Sequence, residues 1–424
     1  MRRKVWISAS HALGLSSLAG AIAVFAWSGD AISLPLALFF PLFWSWAKTR
    51  LAAALVSSSY FLVASRDLPL SVAEYFKADI LSGLGLWMAA AFSFVLVHIL
   101  LWRQAADLRR ALSYGLITAL TGFPPLGITG FAHPLTAAGI IFPGWGWWGL
   151  AATVMLACCL VTRLWWMAGL VLAACWLWSS TASLSSEIDM VSLEASTEIL
   201  VPASSETMPL ALPTAGPTGS PKAWKGVELH MGKSLGRDPS LRHQRELVVK
   251  VVEAAGRDKS IIILPESALG LWTPLRERYW TKVLEFRAIT VIAGATVITA
   301  DGYDNVILAV DKYGSRVIYR QRMPVPVSMW RPWYAWTGQS GGTPARLFEN
   351  PVVQFDGVTV APLICYEQLL LWPVLHSMIF DPDLLVAIGN GWWTTGAKIV
   401  AVQRASAAAW ARLFSIPLVI AFNS

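Results

Sequence analysis

Charged residues are scarce in this 424-residue sequence. Asp, Glu, Lys and Arg make up 14% of it, whereas hydrophobic residues make up 55%. Soluble domains carry about 25% charged residues, so the shortage argues against a soluble class and favours a membrane protein. Tryptophan is abundant, with 23 residues, and is typical of membrane–water interfaces.

Cysteine and histidine are also few, with 4 and 6 residues. Their spacing matches no metal site, and the sequence has no glycine-rich phosphate loop. We therefore expect neither a metal ion nor a dissociable cofactor. Cys158, Cys159 and Cys175 lie in apolar segments, where a thiol is a small packing residue. Cys365 stands alone in the more polar second half.

The net charge of +7 does not indicate nucleic-acid binding. Residues 1–179 hold 11 Lys/Arg against 5 Asp/Glu, and residues 180–424 hold 22 against 21. The basic excess therefore falls between apolar segments, where topology signals are found. We expect no nucleic-acid partner.

The apolar segments predict seven membrane spans within residues 1–179. A span needs about 20 apolar residues, and the neutral run 112–161 is long enough for two spans joined by a Pro/Gly-rich loop. The segments are 6–27, 31–47, 51–65, 81–102, 112–161 and 164–179.

Basic residues give the predicted orientation. With seven spans, all four basic clusters fall on one side, which the positive-inside rule assigns to the cytoplasm. The clusters are residues 2–4, 48–50, 103–110 and Arg163. The sequence thus predicts a multi-pass protein of the bacterial inner membrane with a cytoplasmic N-terminus and a periplasmic C-terminal domain.

A polar stretch separates two differently patterned halves. Residues 180–222 are rich in Ser, Thr and Pro and are interpreted as a linker. Residues 223–424 alternate short apolar runs with helical patterns, which predicts a layered α/β domain. In this half we expect strands at 226–230, 261–264, 290–298, 306–311, 352–355, 358–363, 384–388 and 418–422.

Two of these strands end in groups that can carry chemistry. Residues 260–267 read SIIILPES and deliver Glu266. Residues 361–368 read APLICYEQ and deliver Cys365 and Glu367. Only a thiolate attacks, so a thiol needs a neighbouring base, and a carboxylate at a second strand end can supply one.

These two motifs resemble those of the nitrilase (carbon–nitrogen hydrolase) superfamily, and above all its membrane-embedded apolipoprotein N-acyltransferase branch. The resemblance implies an αββα sandwich, with Glu266 as base and Cys365 as nucleophile. It adds Glu367 to the catalytic set. It also implies that Tyr366, Asn390 and Trp392 bind substrate.

The sequence departs from that family at several places, one of which is residues 410–413, where WARL replaces the family's Arg-Ala-x-Glu. Counting from Tyr319 and Pro326, the position of the family lysine holds Gln321, and the loop glutamate is Met329. Arg322 could supply charge if a one-residue bulge aimed it inward. The chain also stops earlier than the acyltransferases do, which predicts a C-terminally truncated sandwich.

Two functions remain open at this stage. The first is thiol-dependent acyl transfer or amide hydrolysis on a membrane lipid or lipoprotein, with Gln321 or Arg322 stabilising the oxyanion. The second is a catalytically impaired shell that binds a partner. A further resemblance, to proteins of plasmid conjugation, implies other conjugal transfer proteins as partners.

Overall fold

The computed structural model describes residues 2–77, 79–129, 131–190, 198–200, 223–237, 241–255, 260–394 and 398–424. Its α-helices are α1 Arg2–Ala26, α2 Phe39–Ser45, α3 Arg50–Ala64, α4 Leu68–Phe76, α5 Ile80–Leu100, α6 Leu108–Gly122, α7 Ala138–Ile141, α8 Gly146–Leu160, α9 Trp165–Met190, α10 Leu241–Ala255, α11 Pro274–Leu284, α12 Tyr334–Thr337, α13 Leu371–Met378 and α14 Ile399–Phe414. Its strands are β1 Glu198–Leu200, β2 Ala223–Gly226, β3 Ser260–Leu264, β4 Ile289–Thr299, β5 Gly302–Asp311, β6 Gly314–Arg320, β7 Val353–Phe355, β8 Val358–Ile364, β9 Leu384–Asn390 and β10 Leu418–Asn423.

The chain divides into two compact units. The helical unit comprises Met1–Ser192, Gln368–Leu375 and Trp393–Ser415, and therefore includes α14. The α/β unit comprises Leu193–Glu367, His376–Trp392 and Ile416–Ser424. Most of the expected linker, 180–222, lies outside the described residues, and α9 continues as far as Met190.

An α-helix lies in each of the six apolar segments of the N-terminal region, and the long segment 112–161 contains α7, α8 and most of α6. Helix α4 is an additional helix that the apolar pattern did not predict. By length and composition, two helical segments, Ala9–Ala26 and Ile80–Leu100, are able to cross a membrane. Three shorter apolar helical segments accompany them: Ala31–Ser45, Arg50–Ala64 and Gly146–Leu160. The structure thus confirms a helical N-terminal region.

Helix α14 packs closely against other helices of the helical unit. Its first turn is tied to α4, because the Lys398 backbone N–H donates to Asp67 Oδ2 at 2.9 Å. Farther along, a Cβ at Gly139 in α7 would overlap the carbonyl oxygen of Ala409. Glycine at position 139 therefore lets the two backbones touch.

This contact gives a stability prediction. We expect Gly139→Ala to lower the free energy of unfolding by about 1–3 kcal/mol, because the added methyl group overlaps backbone that cannot rotate away. Gly85→Ala in α5 is the matched control, since nothing lies within 4 Å of its Cβ. Thermal unfolding of both variants in detergent checks this. Equal midpoints for the two proteins would contradict it.

The α/β unit contains two sheets. One has the order β1-β2-β3-β4-β5-β6 and the other the order β10-β9-β8-β7. Buried residues of both sheets, including Ile263, Ile307, Ile364 and Val386, form one core cluster. Residues of α10 and α11 pack on the six-stranded sheet in a second cluster with Leu264.

Most expected strands are present, with ends shifted by a few residues. The first differs more, because β2 covers Ala223–Gly226 instead of 226–230. There Trp224 pairs with Ile261 and is buried, so the core side chain precedes the predicted start. Strands β7 and β8 form an antiparallel hairpin, with Asp356 and Gly357 at positive φ in its turn. Helix α13, also not predicted, follows a 3₁₀ turn at Cys365–Leu369.

Candidate active site

Glu266 lies just after the end of β3, where Pro265 interrupts the strand. All five residues of that strand are buried, and Pro265 ends it because proline has no N–H for the ladder. Ser267 has a φ of 62°, so the chain turns sharply just after the carboxylate. Glu266 itself is buried.

Cys365 lies at the end of β8 in the other sheet. It is buried and has a φ of 50°, an uncommon conformation for a residue with a side chain. Its thiol is hydrogen-bonded to the Glu266 side chain. The structure thus brings together the two groups that the sequence places about a hundred residues apart.

Burial makes Glu266 a weaker acid than an exposed glutamate. Desolvation raises its pKa from 4.5 to about 7, and the charge of Glu367 adds to the rise. Hydrogen bonds from Asn305, Cys365 and the Asn390 backbone partly oppose the shift. A carboxyl group with a pKa near neutrality can take and return a proton, as a general base requires.

Gln321, the residue at the family's lysine position, lies in this site. It follows β6 and is almost wholly buried. Asn305 Nδ2 donates both to Glu266 Oε1 at 2.8 Å and to Gln321 Oε1 at 2.9 Å. Gln321 Nε2 donates to the Ile364 carbonyl at 3.2 Å. The amide is therefore held at both ends, and it brings no charge.

Arg322 is fully buried, and its guanidinium forms hydrogen bonds with residues next to the Glu266–Cys365 pair. Nε donates to the Tyr319 hydroxyl at 3.0 Å and Nη2 to Ser377 Oγ at 3.0 Å. Nη1 lies 3.3 Å from His376 Nδ1. These contacts hold the guanidinium beside Tyr319.

Glu367 anchors the turn that carries Cys365. The Tyr319 hydroxyl donates to its two carboxylate oxygens, at 2.9 Å each. Backbone N–H groups of Arg322, Met323 and Ile364 donate at 2.6, 3.1 and 2.8 Å. Burial raises the pKa of Glu367, against the opposing effects of Arg322 and these hydrogen bonds. With so many donors, this carboxylate holds backbone in place.

The expected substrate-binding residues lie at two strand ends. Tyr366 is half-buried and follows Cys365 directly. Asn390 ends β9 and donates its backbone N–H to Glu266. Trp392 lies two residues farther on, with the Arg237 guanidinium 3.6 Å above its ring centre.

Three residues of the site were missed by sequence reasoning: Asn305, Tyr319 as a hydrogen-bond donor, and Asn423. Asn305 is buried at the start of an apolar run in β5, and Asn423 is buried at the end of β10. A buried amide in an apolar strand needs partners, which is a usable signal. The identity of those partners depends on the packing of two sheets.

No group of three or more His, Cys, Asp or Glu side chains within the described residues could hold a metal ion.

Comparison with known proteins identifies the family. The Carbon-nitrogen hydrolase family matches residues 277–412, a range that contains Gln321 and Cys365. The chain is 48% identical over 398 residues to a probable conjugal transfer protein TraB of Sinorhizobium fredii, covering 94% of both chains. It is 47% identical over 414 residues to the conjugal transfer protein TraB of Agrobacterium fabrum, covering 95% of this chain and 91% of that one.

The chain belongs to the TraB family of conjugal transfer proteins. Its carbon–nitrogen hydrolase domain confirms the expected nitrilase relationship. Among solved structures, it is similar to a Nesterenkonia amidase of the nitrilase superfamily, with 13% identity, a TM-score of 0.34, and 47% of this chain and 74% of that one covered. A Helicobacter pylori carbon–nitrogen hydrolase gives 13% identity and a TM-score of 0.34, with 46% and 71% covered.

Proposed function

We propose that this TraB-family protein is a thiol-dependent acyltransferase or amidase. The observation that carries the proposal is the hydrogen bond between the Cys365 thiol and the buried Glu266 carboxyl group. Burial of the carboxylate also keeps water away from the pair, which strengthens electrostatic effects in the site. Acylation of Cys365 by an acyl probe, located by mass spectrometry, tests the proposal.

The proposed step is an addition followed by an elimination. Glu266 accepts the thiol proton while Sγ bonds to the acyl carbon, and the carbonyl electron pair moves onto oxygen. The intermediate collapses, and the leaving amine or alcohol takes the proton from Glu266. An amine or water then attacks the thioester and releases the thiol by the reverse proton path.

The proposed substrate class is the one that the resemblance to membrane-embedded acyltransferases implies, and the apolar character of the chain is compatible with it. Hydrophobic residues make up 55% of it, and two helical segments are able to cross a membrane. We infer a lipid or lipoprotein-type acyl substrate, for which N-acyl transfer and amide hydrolysis are the two outcomes of one thioester.

The neutral Gln321 gives a second prediction. Gln321→Lys puts a cation beside the Glu266–Asn305 pair. We expect acylation of Cys365 to rise by about tenfold or more, because a charge in a dry site stabilises an oxyanion strongly. The rate should also reach its plateau at lower pH, because the ammonium lowers the pKa of Glu266.

Gln321→Leu is the control for this change, since it removes the same two hydrogen bonds without adding charge. The rate of probe labelling is measured across pH for the wild type, Gln321→Lys and Gln321→Leu, and shows whether the added charge speeds acylation. Equal rates for the Lys and Leu variants would contradict the prediction.

The membrane arrangement is part of the proposal. We propose a seven-span domain at 1–179, a linker at 180–222 and a periplasmic nitrilase-like domain at 223–424. The arrangement is supported by the four basic clusters, which share one side only with seven spans.

Cysteine labelling tests the proposed topology. Ala105 is exposed between α5 and α6, and Tyr313 is 86% exposed in the α/β unit. In intact cells, we expect an impermeant maleimide to label Tyr313→Cys, and to label Ala105→Cys only after the membrane is permeabilised. The unmodified protein gives the background from its own cysteines. Identical labelling of both variants in intact cells would overturn the seven-span arrangement.

A second candidate function is partner binding without catalysis. Gln321 favours it, because the site contains an uncharged, fully engaged amide at the lysine position. On this reading the α/β unit binds another protein of the conjugation apparatus. Conjugation that does not depend on the Cys365 thiol would favour it.

A further inference from the structure

Asn423 fixes the orientation of a second amide. The side chain of Asn423, at the end of β10, is fully buried. Its Oδ1 accepts from the Met231 backbone N–H at 2.9 Å. A backbone N–H can only donate, so the amino group must face the other way. There Nδ2 donates to the Gly232 carbonyl at 3.0 Å and to Asn390 Oδ1 at 2.8 Å.

The consequence is an unused donor on Asn390. Its oxygen is occupied by Asn423, so its own Nδ2 is left to bind elsewhere. This amino group has no hydrogen-bond partner within the residues the structure describes, although Asn390 is only 6% exposed. The amino group is not among the fully enclosed, unpaired side-chain atoms of the described residues, so a ligand in the site can reach it.

The free donor lies beside the proposed chemistry. The Asn390 backbone and the Cys365 thiol are hydrogen-bonded to the same Glu266 side chain. Strands β8 and β9 run parallel with Ile364 paired to Ile388, so Cys365 and Asn390 follow at the same edge. Gln321 and Arg322, the donors first expected for the oxyanion, are engaged with other groups.

We propose that Asn390 Nδ2 donates a hydrogen bond to the substrate's acyl oxygen as it becomes an oxyanion, and that Asn423 is the positioning residue that aims it. This inference rests on the proposed acyl transfer. No proton moves in the contact. The carbonyl electron pair goes to oxygen during thiol attack and returns when the leaving group departs, while the amide stays neutral.

The test compares two reactions of the same thiol in the full-length protein. An acyl ester probe forms an oxyanion when Cys365 attacks it, whereas iodoacetamide alkylates the thiol when Sγ displaces iodide from a saturated carbon, and no oxyanion forms. For Asn390→Ala and Asn423→Asp, we expect acylation to fall by about 10²–10³-fold. Alkylation should stay within about twofold across pH, since the thiol and its base are unchanged.

The variants separate orientation from folding. Asn423→Asp keeps an acceptor for Met231 but loses the donor to Asn390. Gln244→Leu is the control, because it also removes a buried amide, one that accepts from Trp280 Nε1 at 2.7 Å. It should lose thermal stability without changing the ratio of the two reactions.

Each other outcome overturns a defined part of the inference. Equal loss of alkylation and acylation in Asn390→Ala would mean a structural role. Normal acylation in Asn423→Asp, with loss in Asn390→Ala, would remove Asn423 from the mechanism. If wild-type protein is alkylated at Cys365 but never acylated, the proposed acyl transfer fails, and this inference fails with it. Wild-type acylation with both variants unchanged would reject the inference alone.

Discussion

Cys365→Ser is expected to abolish acyl labelling, by about 10³-fold or more, while the protein remains folded and in the membrane. The hydroxyl is nearly isosteric with the thiol, so packing around residue 365 changes little. Its pKa is far higher, however, and a carboxylate with a pKa near 7 is too weak a base to ionise it. The measurement is labelling by the ester probe, together with conjugation frequency in cells producing the variant.

Cys175→Ser provides the matched control, because Cys175 lies in α9 and belongs to the helical unit. It should keep both labelling and conjugation. The same measurement separates the two candidate functions. Wild-type conjugation by the Cys365→Ser protein, with no labelling of its parent, would lead us to abandon the enzyme and adopt the partner-binding role.

Glu266→Gln is expected to lower acylation of Cys365 by about 10²–10⁴-fold, because the amide cannot accept the thiol proton. In the wild-type protein, the rate should rise with pH through about 7, as Glu266 loses its proton. The variant should lack this step. Labelling rates measured from pH 5 to 9 check both statements, and a pH step that persists in the variant would assign the base to another group.

The same substitution should change stability in the opposite direction. The pKa of Glu266 is raised from 4.5 to about 7 on folding, so the folded state binds more protons between these values. As pH rises through that window, ionisation of Glu266 therefore lowers the free energy of unfolding by on the order of 3 kcal/mol. Glu266→Gln cannot ionise, so the variant does not lose this stability. We expect the variant to unfold at a higher temperature than the wild type at pH 8, with little difference at pH 4.5.

Glu228→Gln controls for the loss of a carboxylate in general, because Glu228 lies in the same unit and is exposed. It should leave the pH dependence of unfolding unchanged. A Glu266→Gln protein no more stable than wild type at pH 8 would mean that burial does not raise the pKa of Glu266.

The sequence by itself determined the helical region, most strands of the α/β unit, and the pair Glu266 and Cys365. These features are local: apolar runs set strands and helices, and Pro265 marks the end of a strand wherever the chain later packs. Long apolar runs with few charged residues are also a local feature, and they predicted the apolar helices within the first 179 residues. The position of Gln321 followed from spacing within one short motif.

Tertiary structure alone decided which polar groups meet. Asn305, Gln321 and Glu266 come from β5, the residue after β6 and the turn after β3, and only the alignment of those strands joins their side chains. The raised pKa of Glu266 requires burial between two sheets, which no local pattern records. Helix α14 belongs to the helical unit through contacts with residues distant in sequence, among them the close backbone contact at Gly139. Hydrogen bonds between distant segments are set by packing geometry, so a one-dimensional pattern supplies the groups but not their partners.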